Sequence, residues 1–183
     1  QVAACLVRDQ GVDVHGIVFT HPIGDPELAL ASAGQIGIPV EQVDFTVALV
    51  GVFEKCASLD QSGTQLCLDV HAEMMKRALE LAEERDYAFV CSGDVLNQRG
   101  PTQSPEALEY VRQYVEKGDC ILRPLSARLL PQTLPEREGW VQRDELLGIE
   151  GNDREEQRQQ GRKFGLTGFA DPSRVSRLTD PSF

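Results

Sequence analysis

Helix and strand patterns alternate from the first residue of this chain, and this alternation constrains its fold most strongly. Residues 1–8 have the pattern of the second half of a helix that ends near Gly11, and Val12–Phe19 then has the pattern of a strand. Sheets built in this way usually bind phosphate in the loop before the first helix. That loop is expected upstream of Gln1, so the sequence predicts an α/β domain seen without its first strand and phosphate loop.

The alternation continues downstream. Further strands are predicted at Val43–Thr46, Tyr87–Cys91 and Asp119–Leu122, and further helices at Asp25–Ile36, Cys67–Arg85 and Ser104–Gly118. Between them, Gly51–Gly63 is predicted to be irregular. The expected fold is α/β and Rossmann-like, with helices on both faces of a parallel sheet and ligand contacts at the carboxyl ends of its strands.

The character of the chain changes after about residue 130. Prolines and a charged run follow, and Asp153–Lys163 has a helical pattern with almost no apolar face, ending at Phe164. We therefore predict a nucleotide-binding α/β domain over residues 1–130. Residues 131–183 are expected to form a connector and a small helical tail.

Composition excludes several classes of protein. With 183 residues and 41% hydrophobic side chains, the chain can bury a substantial core, and its net charge of −11 opposes nonspecific binding to nucleic acid. Five widely spaced cysteines argue against a disulfide framework and favour the reducing cytoplasm. No apolar run is long enough to span a membrane.

The segment Ser92–Arg99 combines the end of a predicted strand with a glycine and many polar groups. One interpretation is a solvated surface loop in which Asp94 caps a turn. The other places Gly93 against a nucleotide that Asp94 and Gln98 orient, with the guanidinium of Arg99 facing its phosphates. Thr20, which follows another predicted strand, would line the same crevice.

Cys67 and His71 lie four residues apart, and hence on the same face of a predicted helix. The pair has two functional interpretations, a metal site or a thiol activated by histidine. A buried cysteine beside a partly exposed histidine is the structural alternative. Because a closed zinc site needs four ligands, no metal site is predicted.

Basic residues are few, and their best candidate surface begins at Arg123 and Arg128. These two side chains are the predicted contacts to nucleic acid phosphates. The alternative is that they are ordinary solvated arginines without a partner.

Several motifs, in this order, resemble the PP-loop ATP pyrophosphatases that thiolate tRNA, a group containing the tRNA 2-thiouridylases and 4-thiouridine synthetases. The resemblance extends over nearly the whole chain. The segments that carry it are Val2–Gly11, His15–Thr20, Cys67–Met74, Ser92–Arg99, Leu122–Pro131, Pro135–Val141 and Leu178–Pro181.

The resemblance implies adenylation of a tRNA uridine by ATP with Mg²⁺, followed by sulfur transfer from a donor protein or sulfide. It implies catalytic roles for Cys67 and Asp94. The residues that it implies contact ATP are Thr20, Gly93, Gln98 and Arg99. Relatives often carry a second cysteine where this chain has Val70, and a Gly-Gly-Cys motif near Ser176. These differences argue against an iron–sulfur cluster and predict low unaided turnover.

Two other functions stay open from the sequence. One is a divergent, noncatalytic module that binds a nucleotide or tRNA, and the other is a PP-loop enzyme that activates a different acceptor with ATP. A sheet edge left unpaired by the missing strand would also favour association, for example into a homodimer.

Overall fold

Helices and short parallel strands make up the fold, which confirms the predicted α/β class. A computed structural model describes residues 1–24, 26–59 and 62–167. Within these ranges the helices are α1 (Val2–Arg8), α2 (Glu27–Ile36), α3 (Thr46–Ser58), α4 (Gly63–Glu84), α5 (Pro105–Tyr114), α6 (Leu134–Arg137) and α7 (Glu155–Lys163). The strands are β1 (Gly16–Thr20), β2 (Val40–Asp44), β3 (Val90–Cys91) and β4 (Ile121–Leu122).

The strands form two parallel pairs. β1 pairs with β2, from Gly16 opposite Val40 to Thr20 opposite Asp44. β3 pairs with β4, with Val90 opposite Ile121 and Cys91 opposite Leu122. In the described part of the chain these are two two-stranded sheets rather than one wide sheet.

Sequence signals located several helix ends correctly. α2 ends at Ile36, and Gly37 follows with a φ of 64°, the left-handed conformation in which glycine commonly caps a helix. Ser104 caps α5 through its side chain, which accepts a hydrogen bond from the Ala107 amide. Asp25, the predicted start of α2, lies outside the described residues.

The prediction that Gly51–Gly63 is irregular is wrong, because most of that stretch belongs to α3. Leu49, Val52 and Cys56 are buried along one face of this helix, at spacings of three and four residues. A glycine in a helix costs only about 1 kcal/mol relative to alanine. Burying three apolar side chains stabilises the helix by more than that, so packing decides its conformation.

The strands after α4 are shorter than predicted. Tyr87 and Ala88 are exposed, so only Val90 and Cys91 of the predicted Tyr87–Cys91 strand pair with a neighbour. An apolar run can signal a buried strand, but its pairing depends on the neighbouring strand and not on the run itself.

The long helix α4 lies at the centre of the core. Ala72 and Met75 pack in one cluster with Val111 of α5 and Ile121 of β4. Val70 packs in another cluster, with α3. Among the described helices, none has both the length and the apolar character needed to cross a membrane.

Residues on both sides of the predicted boundary at residue 130 share core clusters. Val141 and Leu146 are buried with Val7 of α1 and Leu122 of β4. Phe164, which follows α7, packs against two further clusters. The part of the tail up to residue 167 is therefore attached to the α/β core by apolar contacts.

Candidate functional site

Polar side chains converge at the carboxyl end of β3. Ser92, Gly93 and Asp94 follow this strand directly, and α4 passes close enough for His71 to reach Asp94. The carboxyl ends of parallel strands are where α/β proteins usually bind ligands. The segment is also less solvated than the loop interpretation assumes, since Asp94, Val95 and Leu96 are all buried.

Asp94 is the centre of this cluster. Its Oδ2 atom lies 3.1 Å from His71 Nε2 and accepts a hydrogen bond of 2.8 Å from the Ser92 hydroxyl. Its Oδ1 atom accepts a hydrogen bond of 3.1 Å from Gln103 Nε2. Arg123 adds an ion pair, with its Nε atom 3.6 Å from Oδ2. Both carboxylate oxygens of Asp94 are therefore used inside the protein.

The environment keeps Asp94 ionised. Burial by itself would raise the pKa of this carboxyl group, but the hydrogen bond and charge of His71, the charge of Arg123 and the Ser92 hydroxyl lower it by more. The resulting pKa lies well below the usual range of aspartate. Asp94 is thus a fixed anion near neutral pH and can hold a histidine in one orientation.

We expect the ionised Asp94 to make the free energy of unfolding depend on pH in the acidic range. Because the folded-state pKa of Asp94 is depressed, its contribution is fully present above the unfolded pKa and is lost as pH falls through the folded pKa. The free energy of unfolding should therefore fall between about pH 5 and pH 2. Urea titrations at several pH values test this, and the slope should be shallower in Asp94→Asn. Equal slopes in the two proteins would contradict the prediction.

Arg123 is buried, whereas the sequence analysis placed it on a surface that contacts nucleic acid. Its residue is only 6% exposed, and Nη2 donates a hydrogen bond of 3.3 Å to the carbonyl oxygen of Leu108. Burial lowers the pKa of its guanidinium, and the charge of Asp94 opposes that effect. Of the two predicted phosphate contacts, only Arg128 is exposed.

Cys67 and His71 lie one turn apart on α4, as the sequence predicts. Side chains on a helix lean toward its N-terminus, so the His71 ring leans toward the turn that carries Cys67. Asp94 accepts a hydrogen bond when the proton of His71 is on Nε2, which leaves Nδ1 as the free nitrogen of the ring. Cys67 is half-buried and His71 is partly exposed.

Thr20 lies at the carboxyl end of β1. Val70 belongs to an apolar cluster against which Phe19 of β1 packs, while His71 contacts Asp94 after β3. Thr20, the last residue of β1, follows Phe19, and its hydroxyl donates a hydrogen bond of 3.4 Å to the Val43 carbonyl oxygen. The hydroxyl of Thr20 is therefore engaged with β2.

The residues predicted to contact ATP differ in their exposure to solvent and in the hydrogen bonds they already make. Gly93 and Arg99 are exposed. Gln98 is half-buried, and its Nε2 atom donates a hydrogen bond of 2.9 Å to Gln157 of α7. A ligand would therefore find Gly93 and Arg99 accessible, but it would have to displace Gln157 to reach this donor of Gln98.

Each of the other four thiols is buried or has a raised pKa. Cys5 and Cys56 are buried. Burial raises the pKa of the Cys91 thiol to about 11, and it also raises the pKa of Cys5 and Cys120. No group of three or more histidine, cysteine or acidic side chains suited to a metal ion occurs in residues 1–24, 26–59 and 62–167.

Sequence reasoning missed the contacts of Asp94. His71 and Asp94 are 23 residues apart, and no local pattern indicates that they meet. Ser92 and Gln103 were not singled out as hydrogen-bond donors to Asp94, and Arg123 was assigned to tRNA instead. The usable signal was that Asp94 closely follows an apolar strand. Ser176 and Leu178–Pro181 lie outside the described residues.

Comparisons with known proteins do not assign the chain to a family. No family model, curated protein or solved structure matches the chain. The interpretation of the site therefore depends on its own residues and their geometry.

Proposed function

We propose that this chain acts in the ATP-dependent thiolation of a tRNA uridine. The observation that carries the proposal is the contact between Asp94 and His71, together with the position of Cys67 one turn before His71 on α4. It combines a half-buried thiol, a histidine one turn away and a buried anion that orients the histidine. This is the arrangement that activates a cysteine as a nucleophile.

The reaction needs two chemical steps. First, a carbonyl oxygen of the uracil ring attacks the α-phosphorus of ATP, which releases pyrophosphate and leaves the oxygen adenylated. A sulfur nucleophile then attacks the ring carbon, and AMP leaves with the original oxygen. A thiol that has accepted sulfur from a donor as a persulfide can supply that nucleophile.

Cys67 is the residue proposed to carry sulfur. His71 Nδ1 would accept the proton of the thiol, and the thiolate would attack the outer sulfur of a sulfane donor such as a persulfide. The S–S bond of the donor breaks, and the remainder of the donor leaves with its electron pair. Asp94 stabilises the imidazolium that forms and keeps its Nε2–H directed at the carboxylate. In this scheme Asp94 is a positioning residue, which modifies the predicted catalytic role.

Release of product depends on a second thiol. After the persulfide attacks the uridine, a disulfide links Cys67 to the tRNA, and another thiol must attack it to free the thiouridine. Val70 occupies the position one turn further along α4 where a second cysteine would otherwise lie, and its side chain is buried. An external dithiol is therefore part of the proposed cycle.

Gly93 supports the ATP part of the proposal. Its φ is outside the left-handed region, so its backbone conformation does not require glycine. A Cβ atom at this position would meet no protein atom within 4 Å. A glycine that neither conformation nor packing demands is suited to the close approach of a ligand.

Both oxygens of Asp94 accept hydrogen bonds inside the protein. In this proposal Mg²⁺ would therefore be held by the phosphates of ATP and by other groups.

We expect Gly93→Val to weaken ATP binding at least about tenfold, because the new side chain would occupy the space of the nucleotide. Isothermal titration calorimetry with ATP measures the affinity. The matched control is Gly51→Val, since a Cβ atom there also meets nothing within 4 Å but lies on α3, away from the cluster. Equal ATP affinity in both variants, with unchanged circular dichroism, would contradict the placement.

The proposal includes a Rossmann-like arrangement of the strands. Both pairs are parallel, and β1 and β3 line one groove together with Met75 and Ala78 of α4. Two parallel pairs that line one groove are consistent with two halves of one sheet with helices on both faces.

A noncatalytic nucleotide- or tRNA-binding module is the second candidate. It is favoured by the internal contacts made by both oxygens of Asp94, which is also how a purely structural aspartate is bonded. Such a module would bind ATP or tRNA and would not transfer sulfur. The two candidates therefore differ in one product, thiouridine.

A further inference from the structure

A cavity of about 520 Å³ lies between α5, β4 and the segment that follows β4. Its walls are largely apolar, with Leu108 of α5, Ile121 of β4 and the later Leu129 and Leu130 among the lining residues. Arg123, the ion-pair partner of Asp94, lines the same cavity. A space of this size, with apolar walls and a few polar groups, is typical of sites for small organic molecules.

Arg123 has hydrogen-bond donors that the protein leaves unused. Its Nη2 atom donates to the carbonyl oxygen of Leu108. Its Nε atom is buried and has no hydrogen-bond partner in the described part of the chain. A guanidinium carries five N–H donors, and buried donors in proteins are normally hydrogen-bonded. A ligand that enters the cavity can therefore meet a buried cation with donors to spare.

Asp94 does not saturate this cation. The two side chains approach each other only to 3.6 Å, between Arg123 Nε and Asp94 Oδ2, which exceeds the usual hydrogen-bond length of about 3 Å. The same carboxylate also accepts hydrogen bonds from Ser92 and Gln103. A planar guanidinium can face one carboxylate through Nε and a second through its Nη atoms.

The acidic side chains of the lining are already paired. Each forms an ion pair with an arginine, namely Glu109 with Arg112, Asp119 with Arg137 and Glu136 with Arg143. Glu109 and Asp119 have side chains that are 44% and 43% exposed, whereas that of Glu136 is 1% exposed. Because these charges are balanced by their own partners, Arg123 is the buried group of the lining that can bind an anion.

We propose that this cavity binds an aliphatic monocarboxylate, with the carboxylate on Arg123 and the tail against Leu108, Leu129 and Leu130. The two oxygens of a carboxylate match the parallel donors of a guanidinium. A phosphate dianion would call for a second cation, but Arg112 is bonded to Glu109. The amide groups of a peptide would lose their hydrogen bonds to water against apolar walls. The inference does not depend on ATP, tRNA or Cys67.

Equilibrium dialysis of the whole chain with radioactive octanoate measures binding directly. Competition by unlabelled butanoate and hexanoate tests the contact of the tail, and octanol, which lacks the carboxylate, tests the contact with Arg123. The variant Leu129→Glu tests the location, because this lining leucine is 47% exposed and tolerates a polar side chain. Its matched control is Leu59→Glu, a leucine that is 58% exposed, follows α3 and does not line the cavity.

We expect the affinity for carboxylates to rise about fourfold with each added methylene, as burial of the tail predicts. Octanol should bind at least about tenfold more weakly than octanoate, because it cannot pair with the guanidinium. Leu129→Glu should weaken octanoate binding at least about tenfold, by repelling the carboxylate and removing an apolar contact, while Leu59→Glu leaves it unchanged. Circular dichroism establishes that both variants are folded.

Four results would overturn the proposal. Octanol that competes as well as octanoate would show apolar contact without a role for Arg123. Equal octanoate affinity in Leu129→Glu and Leu59→Glu would place the ligand elsewhere. Absence of retained octanoate at millimolar concentration would show that the cavity does not bind this class of ligand. Stronger competition by acetyl-leucine than by hexanoate would identify a peptide C-terminus as the occupant instead.

Discussion

Asp94→Asn is expected to lower the free energy of unfolding by about 3 kcal/mol, because it leaves the buried charge of Arg123 without its anion. Removing one partner of a buried ion pair costs more than the pair itself contributes, since the remaining charge cannot return to water. The substitution also weakens the hydrogen bonds from His71 and Ser92. Urea denaturation followed by circular dichroism measures the loss.

Two further variants identify its cause. Asp13→Asn is the matched control and should leave stability unchanged, because its side chain is 86% exposed and its ion-pair partner among the described residues is an exposed histidine. Combining Asp94→Asn with Arg123→Met removes the stranded charge and should recover part of the loss. If the double variant is as unstable as the sum of its single variants, the buried charge is not the source.

The sequence was sufficient to predict the alternation of elements and several helix ends. Apolar spacing in α4 and the caps at Ser104 and Gly37 depend on residues within one or two turns, and such local signals can be recognised in one sequence. The α/β class follows from the same signals. It is also the part of the predicted fold that the structure confirms.

The width of the sheet was less predictable, since strand pairing is decided between distant segments. The apolar run Tyr87–Cys91 has a strand composition, yet only its last two residues pair with β4. α3 was missed for a related reason. Gly51 suggested a break, but the contacts of Leu49, Val52 and Cys56 with the rest of the core stabilise the helix.

Several residues of the candidate site could be predicted from the sequence, but the contacts between them could not. Cys67 and His71 are related by helix geometry, which the sequence contains. The contact between His71 and Asp94 is set by how α4 packs past the end of β3, which no local pattern encodes. Arg123 illustrates the same limit. Its charge suggested a surface role, whereas the fold buries it beside Asp94.

Formation of thiouridine in tRNA tests the central claim most directly. Single-turnover reactions would contain excess protein, unmodified tRNA, ATP with Mg²⁺, a dithiol and, as the sulfur donor, thiosulfate with its outer sulfur radioactive. A thiolate that attacks this outer sulfur becomes a persulfide and releases sulfite. Radioactivity in the tRNA nucleosides is then counted. Excess protein avoids a requirement for rapid turnover, and the dithiol supplies the second thiol that α4 lacks at Val70.

We expect ATP-dependent incorporation of sulfur by the wild-type chain, and a loss of at least about a hundredfold in Cys67→Ser, because a hydroxyl cannot form the persulfide. Cys56→Ser, which changes a buried thiol on α3, is the control and should retain incorporation. Equal incorporation by Cys67→Ser would contradict the role of this thiol. No ATP-dependent incorporation by the wild-type chain, with ATP binding intact, would contradict thiolation and favour the noncatalytic module.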